Sequence, residues 1–223
     1  MSEPHTLGVF AKQPKAGLVK SRLARETSPE WAAQVAEAFL LDWLAKLKGF
    51  PARRVLVYAP PEAESYFAGL AEKAFEIEPQ TLGDLGMRME NFLKRRLAAG
   101  DEKVVIIGTD SPTLPLDYLH RAFAELAKAD VVVGPARDGG YYLIGCARQV
   151  PNVFAGIHWG GATVFTETLD RLRESRSRFV VLSPWYDVDT LEDWKALCEE
   201  VRSQRLAGEY PRLSHTERLI QNL

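Results

Sequence analysis

Cysteine is scarce. Cys146 and Cys198 are the two in 223 residues, and neither belongs to a CxxC pair. Nothing therefore argues for a disulfide framework, and a reducing cytoplasm is the expected setting. Cys146 follows the apolar run Tyr141-Tyr142-Leu143-Ile144-Gly145 and reads as buried and inert. An excess of positive charge is also missing. The chain has 28 Lys and Arg against 30 Asp and Glu, a net charge of −2, which argues against a surface for long nucleic acid. The N-terminus passes quickly into a short strand and charged residues, so neither a signal peptide nor a membrane span is expected. Repeats, linkers and low-complexity tracts are lacking. The length suits a single α/β domain over residues 1–223. Residues 208–223 read as a peripheral tail with a short helix around Thr216 to Gln221, which docks late or frays. The oligomeric state is not legible in these features.

What is present is alternation. Strands are predicted at 6–10, 54–58, 103–107, 130–133, 141–144 and 179–182. Several lack polar alternation, as strands covered on both faces do. Ser28 can cap a helix with Pro29 at its first position. Trp31, Val35, Phe39, Trp43 and Leu47 then recur at every fourth residue until Gly49. Further helices are predicted over 85–99, after Pro115, from near Gly161, and after Thr190, whose spacing to Asp193 is that of a capping box. The pattern predicts a mostly parallel sheet with helices on both sides.

Loops beside these strands carry the candidate chemistry. The first follows the first strand and holds Lys12, Lys15, Lys20 and Arg22 in a stretch broken by Pro14 and Gly17. Such a loop can aim cations and backbone N–H groups at one anion, although a solvated basic loop would look alike. It is neither a Walker A sequence nor a GxGxxG. Its place at a strand's C-terminal end favours a ligand. Gly108-Thr109-Asp110-Ser111-Pro112 follows another apolar strand. Asp110 there is either a turn former or a carboxylate for Mg²⁺ or Mn²⁺ beside phosphates. In Tyr186-Asp187-Val188-Asp189-Thr190 both aspartates share a face of an extended segment, and one of them is expected to serve the N-terminus of the next helix. Their like charges call for a cation or donors. Asp138-Gly139-Gly140 between two strands reads as a tight hairpin turn that also shapes a pocket wall. Gln80 is a candidate reader of a base edge and Trp159 a candidate acceptor wall, although residues of both kinds are more often structural. His158 has no evident Ser or Cys partner, so a hydrolase triad is not expected.

In this order, segments 10–23, 108–112, 138–145 and 187–190 resemble the DUF2064 or glycosyltransferase-A-like family of the nucleotide-diphospho-sugar transferase superfamily. More distantly they are similar to guanylyltransferases acting on phospholactate, phosphoenolpyruvate or the molybdenum cofactor. The resemblance implies an α/β, Rossmann-like glycosyltransferase-A fold with a mixed, mainly parallel sheet and helices on both faces. It implies a nucleotide in the N-terminal half and an acceptor in the C-terminal half. Lys20 and Arg22 match phosphate-binding positions, and Asp110 and Asp189 match metal-binding ones. The N-terminal loop departs from the LxxGxSxRM pattern of many sugar nucleotidyltransferases, and Asp110 is followed by Ser111-Pro112 rather than completing a DxD triplet.

The expected activity is metal-dependent nucleotidyl transfer from a nucleoside triphosphate to a small acceptor. Lys20, Asp110 and Asp189 are the expected catalytic residues. Lys12, Lys15, Gly17, Lys20, Arg22 and Gln80 are expected to bind the nucleotide. Asp138, Gly139, Gly140 and Trp159 are expected to bind the acceptor. Mg²⁺ or Mn²⁺ is expected on Asp110 and Asp189, with Asp187 beside them. Glycosyl transfer from a nucleotide-sugar and a nucleotide-binding module without chemistry are the alternatives. The basic cluster favours the first, because a triphosphate carries more negative charge than a sugar diphosphate.

Overall fold

The computed structural model describes residues 5–209 and 213–221. Its sheet contains β1 (His5–Lys12), β2 (Arg53–Ala59), β3 (Glu76–Pro79), β4 (Lys103–Ile107), β5 (Val131–Pro135), β6 (Tyr141–Ala147) and β7 (Phe179–Val181). Across the sheet they stand in the order β3-β2-β1-β4-β6-β5-β7. The pairings are parallel except the two made by β6, with β4 and with β5. Each of the six predicted runs corresponds to a strand of this sheet, with Asp130 and Leu182 falling one residue outside β5 and β7. β3, charged and closed by a proline, lacks the apolar run of the other six.

The connections place the ligand edge. From β1 the chain steps outward to β2 and β3, then returns to the opposite flank of β1 as β4. An open α/β sheet binds ligands outside the carboxyl ends of its strands where the winding reverses, which here is the gap between β1 and β4.

The helices are α1 (Ser21–Glu26), α2 (Pro29–Leu47), α3 (Glu64–Ala71), α4 (Leu85–Ala98), α5 (Leu116–Glu125), α6 (Val164–Glu174), α7 (Leu191–Leu206) and α8 (Ser214–Gln221). Period two along the strands buries both faces of the sheet. Val105 and Ile107 of β4 enter one core with Trp43 of α2, Phe67 of α3 and Leu119 of α5. Val104 and Ile106 enter the opposite core with Phe92 of α4 and Leu172 of α6. The α2 signals act as read: Ser28 Oγ accepts from Trp31 N at 3.1 Å, and Val35, Phe39, Trp43 and Leu47 are buried. Each such large apolar side chain contributes roughly 1.5–3 kcal/mol by leaving water. None of the helices among the described residues is long and apolar enough to cross a membrane.

Of the two outcomes expected for the tail, docking is the one seen over the part that is described. α8 packs on α2, and Leu213 and Ile220 enter a third core with Phe39 and Trp194. The reason is a cap supplied from far away in sequence. Asp42 of α2 accepts from His215 N at 2.9 Å, Thr216 N at 2.9 Å and Thr216 Oγ1 at 2.6 Å. Those are donors a free helix N-terminus would leave unanswered. Residues 210–212 and 222–223 of the expected tail lie outside the described residues.

Candidate functional site

Two loops from the carboxyl edge of the sheet meet and lock. Beyond β4, the segment holding Asp110 and Ser111 is stitched to the segment before α7. Val188 N donates to Asp110 O at 2.9 Å, Trp185 Nε1 to Thr113 Oγ1 at 3.2 Å, and Thr113 Oγ1 to Tyr186 Oη at 2.9 Å. Ser111 Oγ donates to the Asp187 carboxylate. Asp110 and Asp189 are thereby fixed on one side of the sheet, although 79 positions separate them.

Lys20 lies between them. Its Nζ is 2.5 Å from Asp110 Oδ1 and 3.6 Å from Asp189 Oδ1, and it donates to Val188 O at 2.8 Å. The side chain is 3% exposed and the ammonium sits 4.9 Å from the centre of the Phe39 ring. Arg22 reaches Asp189 from the other side, Nη2 to Oδ2 at 3.4 Å. Lys20, expected to bind phosphate, lines the cleft with its backbone in the left-handed conformation, φ 44°, and its ammonium turned to the carboxylates.

The remaining charge is unbalanced. Burial holds the Asp187 carboxyl up to about 7, with further upward pushes from Asp110, Asp138 and Asp189 and an opposing pull from the Ser111 hydroxyl. Asp189 is also raised, first by burial and then by Asp110, against the pull of Lys20 and Arg22. Four carboxylates thus share one electrostatic neighbourhood. Thr190 caps α7 as expected, its Oγ1 accepting from Asp193 N at 3.2 Å, and Asp193 completes the capping box, its Oδ2 accepting from Asp189 N, Thr190 N and Thr190 Oγ1 at 3.0, 2.8 and 2.7 Å.

Two recesses flank this cluster. The larger, about 580 Å³, lies between β1 and β4 and is walled by Lys12, Gly17, Lys20, Arg88, Asp110 and Asp189 among others. The second, about 520 Å³, is walled by Arg22, Asp138, Gly140, Trp159 and Asp187 among others. Leu85 and Tyr141 line both, so the recesses adjoin. Lys15 lines neither.

Gln80, the candidate base reader, lines the larger recess and is braced there. It is buried, its Nε2 donates to Val57 O at 3.0 Å, and its Oε1 accepts from Arg88 Nη1 at 3.3 Å. Arg88 itself was not legible as a site residue. Its one cue is position, in the first turn of a helix that Asp84 caps through Met87 N at 2.8 Å.

The hairpin expected at Asp138-Gly139-Gly140 forms between β5 and β6. Gly139 has φ +92°, and a Cβ there would come within 2.0 Å of Ala162 O. The tip can therefore press against the loop that carries Trp159, and Phe165 N closes on Gly139 O at 2.8 Å. Trp159 packs beside Tyr141 and Phe154 and over Gly86, where any Cβ would lie 2.3 Å from the indole. His158 pairs with Glu167 at 3.2 Å on the surface and lines neither recess.

No group of three or more His, Cys, Asp or Glu among the described residues forms a ready metal cage. The expected trio of Asp110, Asp187 and Asp189 is thus not preassembled, because Ser111 holds Asp187 and Lys20 holds the other two. Two carboxylates with hard oxygen donors still suit Mg²⁺ or Mn²⁺, which bind through one or two protein carboxylates plus waters and substrate phosphates.

The mixed, mostly parallel α/β fold is that of the nucleotide-diphospho-sugar transferases. The chain belongs to the DUF2064 family, described as uncharacterized proteins conserved in bacteria, whose model matches residues 44–161. A crystal structure from Desulfovibrio desulfuricans G20, of a candidate nucleotide-diphospho-sugar transferase, is 32% identical, with TM-score 0.87 over 100% of this chain and 98% of that one. Rv0371c of Mycobacterium tuberculosis H37Rv, solved with manganese, is similar at 18% identity and TM-score 0.51, covering 88% of this chain and 99% of its own. The CMP:2-keto-3-deoxy-manno-octonic acid synthetase complexed with CTP is similar at 11% identity and TM-score 0.53, covering 92% and 99%. The last two speak for the fold alone. No protein of curated function matches the sequence.

Proposed function

We propose that this transferase moves a nucleotidyl group from a nucleoside triphosphate to a small acceptor, with a divalent cation held by Asp110 and Asp189. The observation that carries the reading is the focusing of those two carboxylates on one cation, Lys20, at the mouth of the larger cleft. The triphosphate occupies the cleft between β1 and β4, where Lys12 and Arg88 face its phosphates. The acceptor occupies the recess walled by Asp138, Gly140 and Trp159. The two recesses adjoin at Tyr141, so an acceptor oxygen in one can approach the α-phosphorus in the other. That oxygen forms the new P–O bond, the α–β bridging bond breaks, pyrophosphate leaves, and the acceptor's proton passes to solvent. When bound, the metal supplies charge neutralisation and Lewis-acid polarisation at the phosphates. The protein's own part is positioning: the stitched 110–113 and 185–190 segments hold the carboxylates, and Trp159 walls the acceptor from water.

Glycosyl transfer from a nucleotide-diphospho-sugar is the second reading, favoured by the description of the 32%-identical relative. The products separate the two. With Mn²⁺ and a broad acceptor panel, nucleotidyl transfer releases pyrophosphate from a triphosphate. Glycosyl transfer releases a nucleoside phosphate from a nucleotide-sugar and leaves triphosphates intact. A binding module without chemistry would do neither. We further place the protein in the cytoplasm and read the described segments as one domain.

A further inference from the structure

We propose that Lys20 is a tethered counter-ion that competes with the divalent cation for Asp110 and Asp189, and that a polyphosphate relieves the competition by drawing the ammonium away. The inference rests on the metal-and-nucleotide reading above.

The geometry is specific. The Lys20 ammonium faces Oδ1 of both aspartates, at 2.5 and 3.6 Å. It is anchored by Val188 O at 2.8 Å and backed by the Phe39 ring. It therefore occupies the space between the two carboxylates rather than the open side of the cleft. A divalent cation shared by those oxygens would lie within a few ångströms of the ammonium, where like charges repel strongly in a partly desolvated site. Lys20 also forms part of the cleft wall, so phosphate oxygens entering that cleft offer the ammonium an alternative anion. Two consequences follow. The metal alone binds weakly, because it must displace a lysine. Metal and polyphosphate each raise the other's affinity by the same factor, because the coupling is reciprocal.

The test uses Mn²⁺ alone as probe, followed by the electron paramagnetic resonance signal of the free ion. Wild type is compared with Lys20→Met and with Arg22→Met. Arg22→Met removes the same charge beside Asp189, but from a side chain that is 54% exposed. Lys20→Met is expected to bind Mn²⁺ at least ~10-fold tighter than wild type, and Arg22→Met to gain several-fold less. Asp110 is 51% exposed, so loss of Lys20 leaves no fully buried bare charge there, and thermal melting confirms that the variant folds. If it does not fold, amine labelling of wild type decides. Saturating Mn²⁺ should raise the labelling of Lys20 relative to Lys12 and Lys15. An equal or weaker affinity in Lys20→Met overturns the proposal and leaves the metal reading standing. So does an equal gain in both variants, or Lys20 labelling that Mn²⁺ does not change. Mn²⁺ binding by none of the three proteins removes the metal reading and this proposal together.

Discussion

Asp42 and Asp187 are both acidic side chains drawn away from water, but they keep different company. Asp42 is 1% exposed and faces three donors from α8. Asp187 faces one hydroxyl, from Ser111, and the charges of Asp110, Asp138 and Asp189. A buried carboxylate saturated by donors ties the chain together. A carboxylate crowded by others stores unfavourable charge that only a cation or a proton relieves. The first arrangement is what a fold needs, and the second is what a cation-binding site needs.

Substitution by asparagine should separate the two kinds. Asp110→Asn and Asp189→Asn remove negative charge where the phosphates are to be handled. Turnover is expected to fall on the order of 10²–10³-fold, with thermal stability nearly unchanged. The check is pyrophosphate release alongside melting curves. Asp42→Asn should do the reverse. Its amide would point a donor at donors, and the expected loss of stability is about 2–4 kcal/mol by denaturant unfolding, with nucleotide affinity intact. A folded but inactive Asp42→Asn would erase the distinction.

Asp187→Asn sharpens it through pH. The Asp187 carboxyl is held up to about 7 in the folded chain, above its ordinary value of 3.8. The folded state then binds more protons than the unfolded state between those values, so this group's contribution to stability is full below pH 4 and is lost as pH rises towards 7. Asparagine carries no charge to penalise. The variant should match wild type at pH 4 and exceed it by roughly 1–3 kcal/mol at pH 8, before any metal is added. Equal stability at pH 8 would mean that the carboxylates do not strain one another.

Much of this was legible in the sequence where the cause was local. Ser28-Pro29 and the four-residue spacing from Trp31 to Leu47 specify α2, and Thr190 with Asp193 specifies the start of α7, because caps and faces are set within a few residues. Asp-Gly at 138–139 specifies the β5–β6 hairpin for the same reason. Elements without such cues escaped. α1 has six residues and no side-chain cap, and it is entered from a lysine at φ 44°, so it read as part of the basic loop. α3 likewise has no side-chain cap. The docking of α8 depends on Asp42, 174 positions from Thr216, and no local pattern announces a cap at that range. The inward turn of Lys20 is of this kind too. The loop's composition places cations near an anion site, but only the stitched Asp110 and Val188 segments decide which way the ammonium points.

The central claim is that the cleft's carboxylates are there to hold a cation for a nucleotide. Titrating nucleoside triphosphate into the wild-type protein, with Mn²⁺ and then with excess chelator, tests it most directly. The affinity is predicted to fall at least ~10-fold in chelator, a difference of about 1.4 kcal/mol. Equal affinity in both conditions would contradict the account and leave Lys12, Arg88 and their neighbours to bind phosphate without a metal.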